Sequence, residues 1–179
     1  MSPTDIIDKY YLENDDLRKV LLSHGLSVAE KALSIAEMHP EMNMDKDFIY
    51  EAAILHDLGI FKTDAPDIHC FGKYPYICHG YLGSDILKAE NMPLHALVCE
   101  RHTGVGLSLK YIIEKKLPLP QRDMRPVSFE EQLICFADKF FSKTHPDREK
   151  SIDKIRKNLT KYGKSAVNKF DKWCKMFLS

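Results

Sequence analysis

The chain has 179 residues, 44% of them hydrophobic, which suits one domain with a sizeable core better than two. Its 26 Lys and Arg balance 26 Asp and Glu, so the basic excess of a general nucleic-acid binder is absent, although a local basic cluster for a small anion is compatible with this balance. Cys70, Cys78, Cys99, Cys135 and Cys174 show no CxxC spacing and read as thiols of a reducing compartment. The N-terminal stretch lacks a basic region followed by an apolar core, and no apolar run is long enough to cross a bilayer, so the expectation is a cytoplasmic protein with no membrane partner.

Residues 4–12 read as a short opening helix, and Asn14-Asp15-Asp16 supplies cap chemistry and negative charge for the next. Leu17, Val20, Leu21, Val28, Ala32, Ile35 and Ala36 then recur with the spacing of an amphipathic helix that Pro40 stops. His24 lies close to that apolar stripe. Asp45 or Asp47 caps a helix in which Phe48, Ile49, Ala52, Ala53 and Leu55 lead to His56-Asp57, and Gly59 is expected to break it. Buried polar groups need partners, and a bound cation would serve both members of the His-Asp pair.

Residues 60–78, with Pro66, Gly72 and Pro75, read as an irregular loop covering the pair. Helices are expected over 79–88 and 94–101, the second beginning after Pro93 and ending at His102-Thr103-Gly104. A proline-containing loop follows, with one helical turn at 109–115. Ser128-Phe129-Glu130-Glu131 matches a capping box for a helix over 133–142 that carries Asp138. Two Lys-rich amphipathic helices, 149–162 and 164–178, separate at Gly163, with Phe170, Trp173 and Phe177 packing inward or against a homodimer partner. No alternating strand or repeat stands out, so the fold class is all-α. His39, His69, His95 and His145 lack a motif context, and Phe71, Tyr74, Tyr76 and Tyr81 read as packing or loop anchors.

His24, His56-Asp57, His79, His102 and Asp138 thus come from separate helices or helix ends. The order His … His-Asp … Asp, in the contexts Ser23-His24-Gly25, Leu55-His56-Asp57-Leu58-Gly59 and Phe136-Ala137-Asp138-Lys139, resembles the HD-domain superfamily of metal-dependent phosphohydrolases, especially its HDIG-type branch, over roughly residues 17–143. The resemblance implies a single-domain HD-domain helical bundle over 1–179, with a metal-site core at about 17–143 and the C-terminal helices, 147–178, packed on it. It also implies that His24, His56, Asp57 and Asp138 bind one metal ion. Imidazoles with carboxylates suit Mn, Fe, Co, Ni or Zn better than Mg. His79-Gly80-Tyr81-Leu82-Gly83 and Arg101-His102-Thr103-Gly104 are similar to segments of dinuclear members that hydrolyse diadenosine tetraphosphate. That likeness implies a second divalent transition ion at His79 and His102, with Asp57 bridging; paired ions of this kind stand about 3.5–4 Å apart.

What the resemblance implies chemically is cleavage of a phosphoester or phosphoanhydride, of a nucleotide, by a metal-activated hydroxide. Asp57 would orient the nucleophile, and Lys62, Arg101 and Lys139 would stabilise phosphate at the mouth. The expected partner is a small phosphorylated substrate and not a nucleic acid. Many HDIG-type members carry a basic residue directly after the glycine, whereas this chain has Ile60 there and reaches a cation only at Lys62. Two alternatives share the ligand set: a dinuclear iron oxygenase, and a metal-containing nucleotide-binding module without turnover. A cyclic-dinucleotide phosphodiesterase ranks low, because Leu58-Gly59-Ile60 lacks that branch's Gly-Tyr-Pro motif.

Overall fold

A computed structural model describes residues 2–179. Helices α1 (Pro3–Tyr11), α2 (Asp15–Met38) and α3 (Lys46–Leu55) each start where a side chain accepts from a free N-terminal amide: Ser2 from Asp5, Asn14 from Leu17, and Asp45 from Phe48. The buried stripe of α2, from Leu17 through His24 to Ala36, lies mainly on α3. Helices α4 (His79–Ala89) and α5 (Pro93–Arg101) pack on each other, and α6 (Leu109–Glu114) is a short satellite. Helix α7 (Phe129–Asp138) begins in a complete capping box, Ser128 accepting from the Glu131 amide and Glu131 from the Ser128 amide. It touches α2, α3 and α5, so segments that carry site histidines converge on it.

Helices α8 (Ile152–Leu159) and α9 (Lys164–Phe177) complete the bundle. The C-terminal aromatics pack inward: the Phe136 ring of α7 lies 5.3 Å from Phe170, 6.4 Å from Trp173 and 5.4 Å from Phe177. The indole of Trp173 donates to Gln132 Oε1 at 2.9 Å, which satisfies its one buried polar atom. One apolar core therefore runs from Ile6 to Phe177. The fold is all-α, and among the described residues no helix is long and apolar enough to cross a membrane.

Three local expectations are corrected. Gly59 does not break α3 through a left-handed turn. The helix stops at Leu55 and the chain runs on as a 3-10 turn, Leu58–Lys62, through Gly59. A Cβ at Gly59 would stand 2.2 Å from the His79 carbonyl oxygen and 2.4 Å from the Gly83 nitrogen, so the glycine is there to let two backbones meet. The 60–78 loop contains a two-stranded antiparallel ribbon, β1 (Asp64–Ala65) with β2 (Cys70–Phe71), closed by a 3-10 turn and by His69 at φ 63°. Helix α7 ends at Asp138 and not at 142, because the amides of Lys139 and Phe140 fold back on Phe136 O and Ala137 O and tighten the last turn.

Candidate metal centre

His56, His79 and His102 use one local device. Each sits at a helix or 3-10 end, and its Nδ1–H donates to the backbone carbonyl three residues earlier: Ala53 at 2.6 Å, Tyr76 at 2.6 Å and Cys99 at 2.7 Å. A carbonyl oxygen near a helix end has acceptor capacity to spare, even where, as at Tyr76, it already takes a backbone amide, so it can accept this proton. A carbonyl only accepts, so the bond fixes the Nδ1–H tautomer and aims an unprotonated Nε2 at the site. His24 differs: it lies in mid-helix on α2, 1% exposed, and its Nε2 faces Asp138 Oδ1 at 2.8 Å.

Asp57, fully buried, divides its carboxylate between two groups of histidines. Its Oδ2 stands 3.4 Å from His24 Nε2 and 3.1 Å from His56 Nε2. Its Oδ1 stands 3.3 Å from both His79 Nε2 and His102 Nε2. Asp138 Oδ1 closes the first group, 3.3 Å from His56 Nε2. In each set, His24–His56–Asp57–Asp138 and Asp57–His79–His102, one ligand atom per residue lies within 4.8 Å of all the others.

These residues fit divalent ions on the chemistry of the donors. His56 Nε2 and both oxygens of Asp57 are buried without a hydrogen-bond partner. His79 Nε2 and His102 Nε2 face each other at 2.9 Å, lone pair to lone pair once both Nδ1 atoms carry the proton, an arrangement that a cation between them relieves. The electrostatics of His24, His79 and His102 point the same way, holding their imidazoles neutral, while those of His56 favour the protonated form that a bound cation would displace. Burial, helped by the nearby Lys143 charge, pushes His24 down to about 4; burial and the neighbouring His102 push His79 down to about 3. Burial also lowers His102. His56 alone goes up, to about 10, because Asp57 and Asp138 outweigh its burial. Burial opposes the charged forms of Asp57 and Asp138, but Lys143 and His56 hold the first, and Lys139 with His24 and His56 the second, well below the usual carboxylate range.

Lys139 is brought to the site: its Nζ donates to Asp138 Oδ2 at 2.6 Å and to His102 O at 2.9 Å. Lys62 and Arg101 are not. Lys62 stays outside the cavities beside the ligand groups, its Nζ 5.9 Å from the Phe61 ring. Arg101 donates to Glu131 Oε2 at 2.8 Å, so it ties the end of α5 to the capping box of α7. Lys143, which no motif marks, stands 2.7 Å from Asp57 Oδ2, and its partly buried ammonium is held protonated by Asp57 against the cost of burial. Tyr76 stacks on His79 with ring centroids 4.6 Å apart. Both residues lie in the irregular 60–78 and 139–150 stretches, where no periodicity signals which way a side chain points.

A cavity of about 470 Å³ opens over His79, His102 and Asp138, and an adjoining one of about 430 Å³ shares its Asp138, Lys139, Lys143 and Tyr162. With that geometry, comparison with known proteins is direct. The HD domain family model matches residues 21–142, and the chain belongs to that family. It is 30% identical over 145 residues to the uncharacterized protein MJ0778 of Methanocaldococcus jannaschii, covering 79% of this chain and 78% of that protein. It is also 29% identical to a tRNA (cytidine(56)-2'-O)-methyltransferase of Picrophilus torridus and 28% identical to one of Thermoplasma volcanium. Those matches cover 73% and 80% of this chain but only 34% and 37% of the methyltransferases. No solved structure matches.

Proposed function

We propose that the protein is a metal-dependent phosphohydrolase that cleaves a phosphoester or phosphoanhydride of a small substrate of the nucleotide class. The observation that carries this reading is the Asp57 carboxylate, split between two histidine groups beside the ammonium groups of Lys139 and Lys143. His24, His56, Asp57 and Asp138 would hold one divalent transition ion, and Asp57, His79 and His102 a second. Such ions, when bound, supply Lewis acidity and a nucleophile from water at neutral pH.

The chain's own groups do the rest. Asp57 would belong to both ligand sets and so tie them to one reacting phosphate. Lys139, anchored by Asp138 and the His102 carbonyl, is a fixed donor for a phosphoryl oxygen. Lys143 exchanges Asp57 for substrate and neutralises negative charge as it grows on the leaving oxygen. Tyr76 keeps the His79 ring in place by stacking and by accepting its Nδ1 proton through its backbone carbonyl. Lysine-lined walls favour an anionic substrate such as a phosphate over an uncharged one. The methyltransferase relatives are matched over about a third of their length, and their named activity belongs to those whole proteins.

Metal analysis of protein purified without added metal, followed by a panel of phosphomonoesters, nucleotides, dinucleoside polyphosphates and tRNA, tests the reading. The expected result is up to two ions per chain and phosphate-bond cleavage that a chelator abolishes and that proceeds without O₂. Consumption of an organic substrate only with Fe(II) and O₂ would instead establish the oxygenase, and tight nucleotide binding with no turnover the binding module.

A further inference from the structure

The family match ends at residue 142, yet a large part of the wall beside the metal centre comes from after it. Lys143, Lys150, Lys161 and Tyr162 all line the 430 Å³ cavity, together with Lys139. Two of these lysines, Lys139 and Lys143, are committed to the site carboxylates at 2.6 Å and 2.7 Å. The other two are not paired with any carboxylate among the described residues. Lys150 is half-buried, and its Nζ donates only to the Phe141 carbonyl, at 3.2 Å. Lys161 is exposed, and its Nζ lies 5.1 Å from the Tyr162 ring. Against four ammonium groups the same wall presents Asp138, a site carboxylate, and the exposed Asp67.

This wall is seated on the metal loop. Gly104, two residues past His102, holds φ +60°, and a Cβ there would stand 3.2 Å from the Tyr162 ring. The glycine lets the ring close onto the loop and brings Lys161 to the cavity. At the other edge, the Lys150 amide donates to the Phe140 carbonyl at 2.8 Å and fixes where that side chain leaves the backbone.

We propose that Lys150 and Lys161 form a second anion subsite, which holds a second phosphate of the substrate while the first lies at the metal centre. A single phosphate is matched by Lys139, Lys143 and the ions. Two further cations on the same wall, free of carboxylates, complement a second one. The site thus selects substrates with at least two phosphates over monophosphates, and the selection comes from the segment beyond the family match. This inference rests on the hydrolase reading for its first phosphate, but the subsite is testable by binding alone.

Equilibrium dialysis of the full-length, metal-containing protein with AMP, α,β-methylene-ADP and adenosine 3′,5′-bisphosphate provides the test, with AMP checked for integrity by chromatography. The Lys150→Gln/Lys161→Gln variant should lose at least tenfold more affinity for a two-phosphate probe than for AMP. Loss on α,β-methylene-ADP assigns the second phosphate to an anhydride chain, and loss on the bisphosphate assigns it to a separate position; either supports the subsite. Lys157→Gln/Lys172→Gln, the same charge change at exposed lysines away from both cavities, should leave the ratio unchanged. Equal losses for all probes, no loss, or the same shift in the control variant would overturn the proposal. Absence of turnover across the phosphate panel with the binding ratio intact would instead count against the hydrolase reading alone. Circular dichroism confirms that each variant is folded.

Discussion

Around Asp57 the charges are paired: buried Asp57 with Lys143 at 2.7 Å, and Asp138 with Lys139 at 2.6 Å, the last three partly buried at the cavity floor. Along 150–161 the same cavity meets lysines that no carboxylate answers. The two regions differ in what burial permits. A charge removed from water must be held by an opposite charge or by hydrogen bonds, so the centre is locked and removing one member strands the other. The outer lysines keep contact with solvent and have no carboxylate partner, Lys150 donating only to a backbone carbonyl, so they are free to trade water for a ligand. On the proposed reading, chemistry belongs to the buried half and substrate choice to the wetter half.

The largest effect is expected where the locked region is broken. Asp57→Asn should take metal-dependent turnover to background while far-UV circular dichroism stays helical, since Asn keeps the shape but not the charge both metal positions share. It also leaves the Lys143 ammonium unpaired, so the metal-free variant should lose about 3–5 kcal/mol in a denaturant titration. Activity retained at a tenth of wild type or more would contradict the assignment. Phe136→Ala attacks the packing of α9 on the helix that carries Asp138, since that ring touches Phe140, Phe170, Trp173 and Phe177. A loss of about 3–5 kcal/mol in the same titration is expected, with no loss of metal ligands.

Lys143→Met sits on the border and sharpens the comparison. Losing one charge-assisted hydrogen bond, worth about 1.5–3 kcal/mol, should lower kcat/KM about ten- to a hundredfold in steady-state assays. Metal content per chain should be unchanged. The smallest effect belongs to Lys62→Ala: with its ammonium outside both cavities, kcat/KM should move less than about twofold. A tenfold loss there would return Lys62 to the phosphate contact its place after Gly59 invites.

Much of the helical framework was legible because its signals are local. Asn14, Asp45 and Ser128 each cap the helix they precede, and each apolar stripe faces the core. The errors fall where the deciding contact comes from far along the chain. Gly59 looked like a helix breaker, but its role is set by the backbone of His79 and Gly83. Arg101, expected at a phosphate, has its guanidinium tied to Glu131 across the bundle, a partner no local pattern announces.

The sequence by itself determined the residue types of the site, their order, and the helix ends on which His56 and His102 stand, because periodicity and capping act within a few residues. It also determined the i−3 carbonyls that orient three imidazoles, a device short enough to be local. Only the tertiary structure decided that Asp57 splits its two oxygens between two histidine groups, that Lys143 reaches Asp57, and that Tyr162 closes on Gly104 to bring Lys161 to the cavity. Those are contacts between segments tens of residues apart, and packing of the apolar core and its satellite cluster, not any local preference, sets which of them form.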